Sequence, residues 1–334
     1  MKAAYLVYGW LGSVFLAVGA AALVQGPDLQ AIRLIGLAGR PLPIVAGELH
    51  GTFAKYGVEV HLEMAPNSEI LRASLADGKA DIAHAAVDNA VAMVEMAGAD
   101  VIIVLGGEGS LNELIAQPEI HSVKELRGRT LIVDATNTAY ALQLKKILLL
   151  HGLQSGRDYE LKPTGTTPQR FQDMREHKEY AGSMLGPPTS ILAKQAGFVS
   201  LGSVRELIGP YQGSGAFVRR QWAREHADAL VRYLAAYVET QRWVMAPVNK
   251  PQVIELLMKD SKLSAAVAEE TYTLSVQGQG GYSEDARLDM KGFENVLKLR
   301  AEIEGQWAGR PPKARKYYDL SYYERALKKL KLQK

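Results

Sequence analysis

Ser68-EILRASLADGKADIAHAAVDNAVAMVEMAGADVIIVL-Gly106 holds a complete helix, strand, helix, strand series. Ser68 to Leu75 reads as an amphipathic helix stopped by Asp77-Gly78, and Ala80 to Ala83 as a short apolar strand running into His84. Asp88-Asn89 then opens the next helix, and Val101 to Leu105 is apolar at every position. A strand without alternation is covered by helices on both faces, which predicts a parallel sheet and an α/β architecture. Small ligands of open α/β sheets bind at the carboxyl ends of strands, beside helix N-termini with unpaired N–H groups. His84, Asp88 and Asn89 stand at such a place.

Outward from this stretch the same grammar repeats. Gln30 to Gly36 is a first strand, and the loop from Leu37 through Arg40 to Pro43 leads into a helix over Ile44 to Phe53. Val58 to Leu62 is the second strand, and Pro66-Asn67-Ser68 caps the helix after it. Beyond Gly106-Gly107, Leu111 to Gln117 leaves this unit. A second βα set follows, with Thr130 to Val133 ending in Asp134-Ala-Thr136-Asn137-Thr138 and Tyr180 to Leu185 ending at Gly186-Pro187-Pro188. Gly213 to Val218 returns, and from Arg220 onward the chain reads as helical. Two similar sets joined by two extended crossings predict two lobes with a cleft between them: residues 27–110 and 211–334 in the first, 111–210 in the second.

Composition narrows the function. With 334 residues, 47% hydrophobic and 22% charged, the chain can bury two sizeable cores. The absence of cysteine removes disulfides, thiol nucleophiles and Cys-based metal sites. The seven histidines show no HxxxH or HxH spacing, so no metal site is expected. Ala3 to Pro27 is an uncharged run ending in small residues, which reads as an export segment over residues 1–26, cut after Ala22 or Gly26. An uncleaved membrane anchor is the alternative. The net charge is +3, yet Arg310 to Lys334 alone carries nine Lys or Arg against Asp319 and Glu324, leaving the remainder net acidic. Positive charge gathered in a tail does not describe a nucleic-acid reader. Within that tail, Tyr322, Tyr323, Ala326, Leu327 and Leu330 share one helical face, with most of the lysines off it.

Five short features in order resemble the solute-binding proteins of ABC importers, in the type II periplasmic-binding fold of the taurine, aliphatic sulfonate, nitrate and thiamine-pyrimidine group. They are the loop Gly36 to Pro43, Gly51-TFAKYGVE-Val60, Leu75-ADGKAD-Ile82, Val123-KELRG-Arg129 and Tyr180 to Pro187. The resemblance spans about residues 30 to 245. It implies a periplasmic binder, neither an enzyme nor dependent on a cofactor. Such a binder closes on a small organic solute, expected to be anionic and sulfonate- or carboxylate-like, and serves an inner-membrane permease as a monomer. Leu185 and Gly186 depart from the acidic or aromatic residues often found before the second-lobe proline, and Asp134 brings an acid to a turn where many anion binders have none. The ligand residues implied are Arg40, Asn67, Ser68, His84, Asp88 and Asn89 in the first lobe, with Thr136, Asn137, Thr138, Gly186 and Pro187 in the second. A same-fold enzyme and a membrane-anchored ligand sensor are the competing readings.

Overall fold

The computed structural model describes residues 29–37 and 39–332; the export segment read at 1–26 lies outside them. The first sheet and its helices begin with β1 (Gln30–Leu37), α1 (Leu42–Leu49), α2 (Thr52–Lys55) and β2 (Val58–Ala65). They continue through α3 (Ser68–Ala76), β3 (Ile82–Ala86), α4 (Asp88–Ala97) and β4 (Val101–Leu105). The chain then crosses into β5 (Glu113–Ala116), β6 (Thr130–Val133), α5 (Ala139–Leu150), β7 (Glu160–Pro163) and α6 (Thr167–Glu176). β8 (Tyr180–Leu185), α7 (Thr189–Gln195), β9 (Val199–Ser203) and α8 (Val204–Ile208) complete that part. β10 (Ser214–Arg219) returns, followed by α9 (Arg220–Glu225), α10 (Ala227–Met245), α11 (Lys250–Asp260), α12 (Ala265–Tyr272), α13 (Met290–Ile303) and α14 (Ser321–Leu332).

Each lobe holds a five-stranded sheet, ordered β2-β1-β3-β10-β4 in the first and β7-β6-β8-β5-β9 in the second. The sheets are mixed, not parallel throughout as the apolar strands predict. β10 runs antiparallel to β3 and β4, and β5 antiparallel to β8 and β9. The reason is topological: each antiparallel strand arrives from the opposite lobe and takes the fourth place in the sheet it enters. β4 is buried at all five positions, as a strand covered on both faces must be.

Local chemistry explains several helix ends. Asn67 caps α3 by accepting the Ile70 amide at 2.9 Å, and Ser203 with Glu206 forms a reciprocal capping box on α8. The helix read over Ile44 to Phe53 breaks into α1 and α2, because Gly51 adopts a left-handed φ of 62° that its lack of a Cβ permits. The long helix read from Arg220 also divides, at His226, into α9 and α10.

The lobes share a core. One contiguous apolar cluster includes Leu71, Val91 and Ile103 of the first lobe, Phe293 and Leu297 of α13, and Leu131, Leu142 and Ile147 of the second. The crossings are a braced hinge. Gly109 pairs with Gln212, and Glu108 pairs with Tyr282 from the loop before α13, so a third segment runs beside the two expected. Backbones meet closely here: a Cβ on Gly213 would lie 2.4 Å from the Gly109 carbonyl oxygen. Gly213→Ala should therefore cost roughly 1–3 kcal/mol, the range for overpacking, read from urea unfolding. An unchanged urea midpoint would mean the crossings are loosely packed.

Candidate functional site

Residues that follow the strands of the two sheets meet across the lobe boundary, charged side chains among them. Asp134, just after β6, accepts from Thr138 Oγ1 at 2.6 Å and from Ser68 Oγ of the other lobe at 3.4 Å. Thr138 also caps α5, its Oγ1 accepting the Ala141 amide. Ser68 and Thr138 thus meet on one carboxylate across the lobe boundary.

Asp88, the first residue of α4, is occupied. Arg300 of α13 grips both its oxygens, with Nη2 donating to Oδ2 at 2.8 Å, and neither side chain is exposed beyond 1%. Burial works against the Arg300 charge, but Asp88 more than offsets it and the pKa stays raised. The same Nη2 donates to the Asn137 carbonyl of the second lobe at 3.2 Å. Arg300 Nη1 is buried without a partner among the described residues, as is Arg72 Nη1 on α3. Burial also lowers the Arg72 pKa, against the pull of Asp88 and Asp134.

The remaining sequence candidates divide. Asn137 turns its side chain to the Met96 sulfur at 3.3 Å, while Thr136 is exposed and its carbonyl accepts from Lys145. Asn89 donates to the Ala86 carbonyl, leaving its own side-chain oxygen buried without a partner among the described residues. His84 lies within β3, its Nε2 2.6 Å from the Tyr233 hydroxyl and its ring stacked on Tyr237 with centroids 5.2 Å apart. Burial pushes its pKa down to about 3, so the ring is neutral. Arg40 stands apart, in ion pairs with Glu48 and, at 2.6 Å, Asp260. Gly186 sits close to Asn112, and Pro187 precedes a cis peptide bond to Pro188.

Sequence reasoning missed Glu108. It follows Gly106-Gly107 at the carboxyl end of β4, and the strand-end rule that selects Asp88 selects it too. Its carboxylate takes no hydrogen bond or ion pair from any described residue, and burial raises its pKa to about 7. Tyr140 of α5, Tyr237 of α10 and Tyr282 of the hinge loop all feel its charge. Arg170, buried and held by Ser183, Gly165, Thr167 and Met184, stacks its guanidinium 4.8 Å from the Tyr140 ring. A hollow of about 280 Å³ at the hinge is lined by Gly107 and Gly109, the neighbours of Glu108, with Ser110, Tyr211, Gln212 and Tyr282. Among the described residues no cluster of three or more His, Asp or Glu is placed to hold a metal.

A two-lobed α/β molecule with mixed five-stranded sheets, a strand-end cleft and a helical C-terminal region has the periplasmic-binding-protein fold. Residues 41–172 match the family model described as NMT1/THI5 like. Among solved structures, the chain is similar to the periplasmic nitrate-binding protein NrtA from Synechocystis PCC 6803. The TM-score is 0.75 at 14% identity, covering 92% of this chain and 91% of that one. It is similar to the ligand-binding component of an ABC-type import system from Staphylococcus aureus, with a TM-score of 0.73, 16% identity and coverage of 89% and 99%. It is also similar to the alkanesulfonate-binding protein SsuA from Xanthomonas axonopodis pv. citri, with a TM-score of 0.69, 16% identity and coverage of 86% and 96%. No curated protein matches the sequence.

Two outcomes check the electrostatics. Arg300→Ala should destabilise by about 3–5 kcal/mol, because it leaves Asp88 buried and unpaired, as denaturant titration will read. Glu108→Gln should behave oppositely at neutral pH. A carboxyl whose folded pKa lies near 7, above the ordinary 4.5, favours the fold in its protonated form, so wild-type stability falls as pH rises from 4.5 through 7. The variant should therefore unfold at higher temperature than wild type at pH 8, with the advantage fading toward pH 4.5; equal pH profiles would refute the buried, unpaired carboxyl.

Proposed function

We propose that this protein is the periplasmic solute-binding component of an ABC importer, closing on a small organic molecule between its lobes and delivering it to a permease. Three things support this reading: the fold, the match over residues 41–172, and the likeness to structures described as ABC import and periplasmic binding components. The same likeness favours a binder over a same-fold enzyme. The N-terminal uncharged run fits export, with an uncleaved anchor as the alternative.

The single observation that carries the solute chemistry is the Glu108 carboxylate, without a partner among the described residues, between Gly107 and Gly109 of the hollow that Tyr211 and Tyr282 also line. A carboxylate without a protein partner in a partly buried cleft is stabilised by a solute that brings N–H donors, and aromatic walls favour a cation or a flat ring. The acidic end expected from the sequence has its counterpart in Arg72, whose Nη1 is unpartnered, and in the N-termini of α3 and α5 at Ser68 and Thr138. Arg40, committed to Glu48 and Asp260, contributes less than the sequence suggests. The solute is thus a small molecule with an amino-type group and a carboxylate or sulfonate.

Calorimetric titration of amino sulfonates, amino acids and aminopyrimidines, each beside its analogue lacking the amino group, tests this. Glu108→Gln should weaken the amino-bearing member by about 1.5–3 kcal/mol, roughly tenfold to a hundredfold, and leave the analogue nearly unchanged. A variant that binds every solute as wild type does would remove Glu108 from the site.

A further inference from the structure

Solute binding leaves the basic C-terminal tail without a task. α14 packs on α10 and against β4, burying Tyr322, Tyr323, Ala326 and Leu330. That settles how the helix is held, and its outward face is free. Arg325, Lys328 and Leu332 follow one another at helical spacing on that face, flanked by Lys331, and all four are exposed. Leu332 is 87% exposed, an apolar side chain placed among cations. Arg325, Lys328, Lys329 and Lys331 form no ion pair with any described residue. In the segment before the helix, Arg310, Lys313 and Arg315 are likewise exposed, whereas Lys316 pairs with Glu95 at 2.5 Å.

Glu324 is exposed on the same face and offsets one of these charges, leaving an excess of cations that serve no intramolecular contact, so the surface gains when an anionic partner covers it. The choice of residues says what kind. Protein interfaces favour aromatic and Arg anchors and are depleted of Lys, whereas an anionic bilayer attracts flexible lysines through diffuse charge. An exposed leucine within a cationic helical face adds the apolar contact that an interfacial helix makes. We propose that the outward face of α14 binds an anionic lipid surface, holding the protein near the membrane in addition to any contact with a permease.

The test uses the chain from Pro27 onward, which contains every described residue and lacks the N-terminal apolar run. Flotation with phosphatidylglycerol-rich vesicles should recover the protein, and flotation with pure phosphatidylcholine vesicles should not. Binding should vanish near about 1 M salt, where the screening length falls to about 3 Å. Arg325→Glu, Lys328→Glu and Lys331→Glu combined should lower the partition coefficient by more than about a hundredfold, each charge removed counting for about fivefold. The Gln versions should lower it less, and unfolding temperature should be unchanged in both sets. Absence of flotation at low salt, or flotation that the Glu variant retains, overturns the proposal. If the variant loses capture by detergent-solubilised permease while wild type ignores the vesicles, the face is a protein-docking surface and the lipid assignment fails.

Discussion

The contact on which the architecture turns is the buried pair between Arg300 and Asp88. Two charges with no exposure beyond 1% are tolerable only when each satisfies the other, and the paired geometry with Arg300 on both carboxylate oxygens does so. The pair joins three parts of the chain at one point: the start of α4, the last turn of α13, and the Asn137 carbonyl ahead of α5. Without it, α13 would bring an uncompensated charge into the shared core. The C-terminal region is therefore part of the two-lobed body and not an appendage to it.

Glu108 is the counterpart of that pair. Both carboxylates stand at strand ends in the first lobe, yet Asp88 has a cation on each oxygen and Glu108 has no partner among the described residues. Half-buried and without a protein partner among the described residues, Glu108 has its charge disfavoured by desolvation, the kind of environment in which functional carboxylates are found. That contrast separates an occupied carboxylate from one open to a partner more sharply than sequence position does.

How far the sequence can be read follows from the range of the interactions. Strand and helix identity, the N-caps at Asn67 and Thr138 and the two crossings depend on neighbours a few residues apart, and these were legible. The mixed sheets were not, because the direction of β5 and β10 is set by strands of a distant segment. Asp88 was recognised as a strand-end acid, but its partner lies 212 residues away, and no local pattern announces that it is already occupied. The same distance hides the match of Arg40 with Asp260, and the bridge that sets Tyr282 beside Glu108. Glu108 itself lies within reach of the strand-end rule, two residues beyond Gly106 at the end of β4.

The ties of α13 also differ between the two lobes. Toward the first lobe, α13 is held by the Arg300 pair, and Phe293 meets Tyr317 edge-on. Tyr317 is fixed in turn by Glu95, whose carboxylate also takes Trp307 and Lys316. Toward the second lobe, its polar ties among the described residues include Lys145 with Glu304 and Lys146 with Glu302, both partly exposed, Asn295 Nδ2 donating to the Pro210 carbonyl at 2.9 Å, and a bond to the Asn137 carbonyl. Partly exposed ion pairs contribute about 0–1 kcal/mol each, against several for a buried pair broken on one side. The polar ties of α13 are thus stronger toward the first lobe, while its apolar contacts reach both lobes through the shared core. Across the same boundary, Ser68 Oγ and Asp134 at 3.4 Å link the two halves of the site by one long bond.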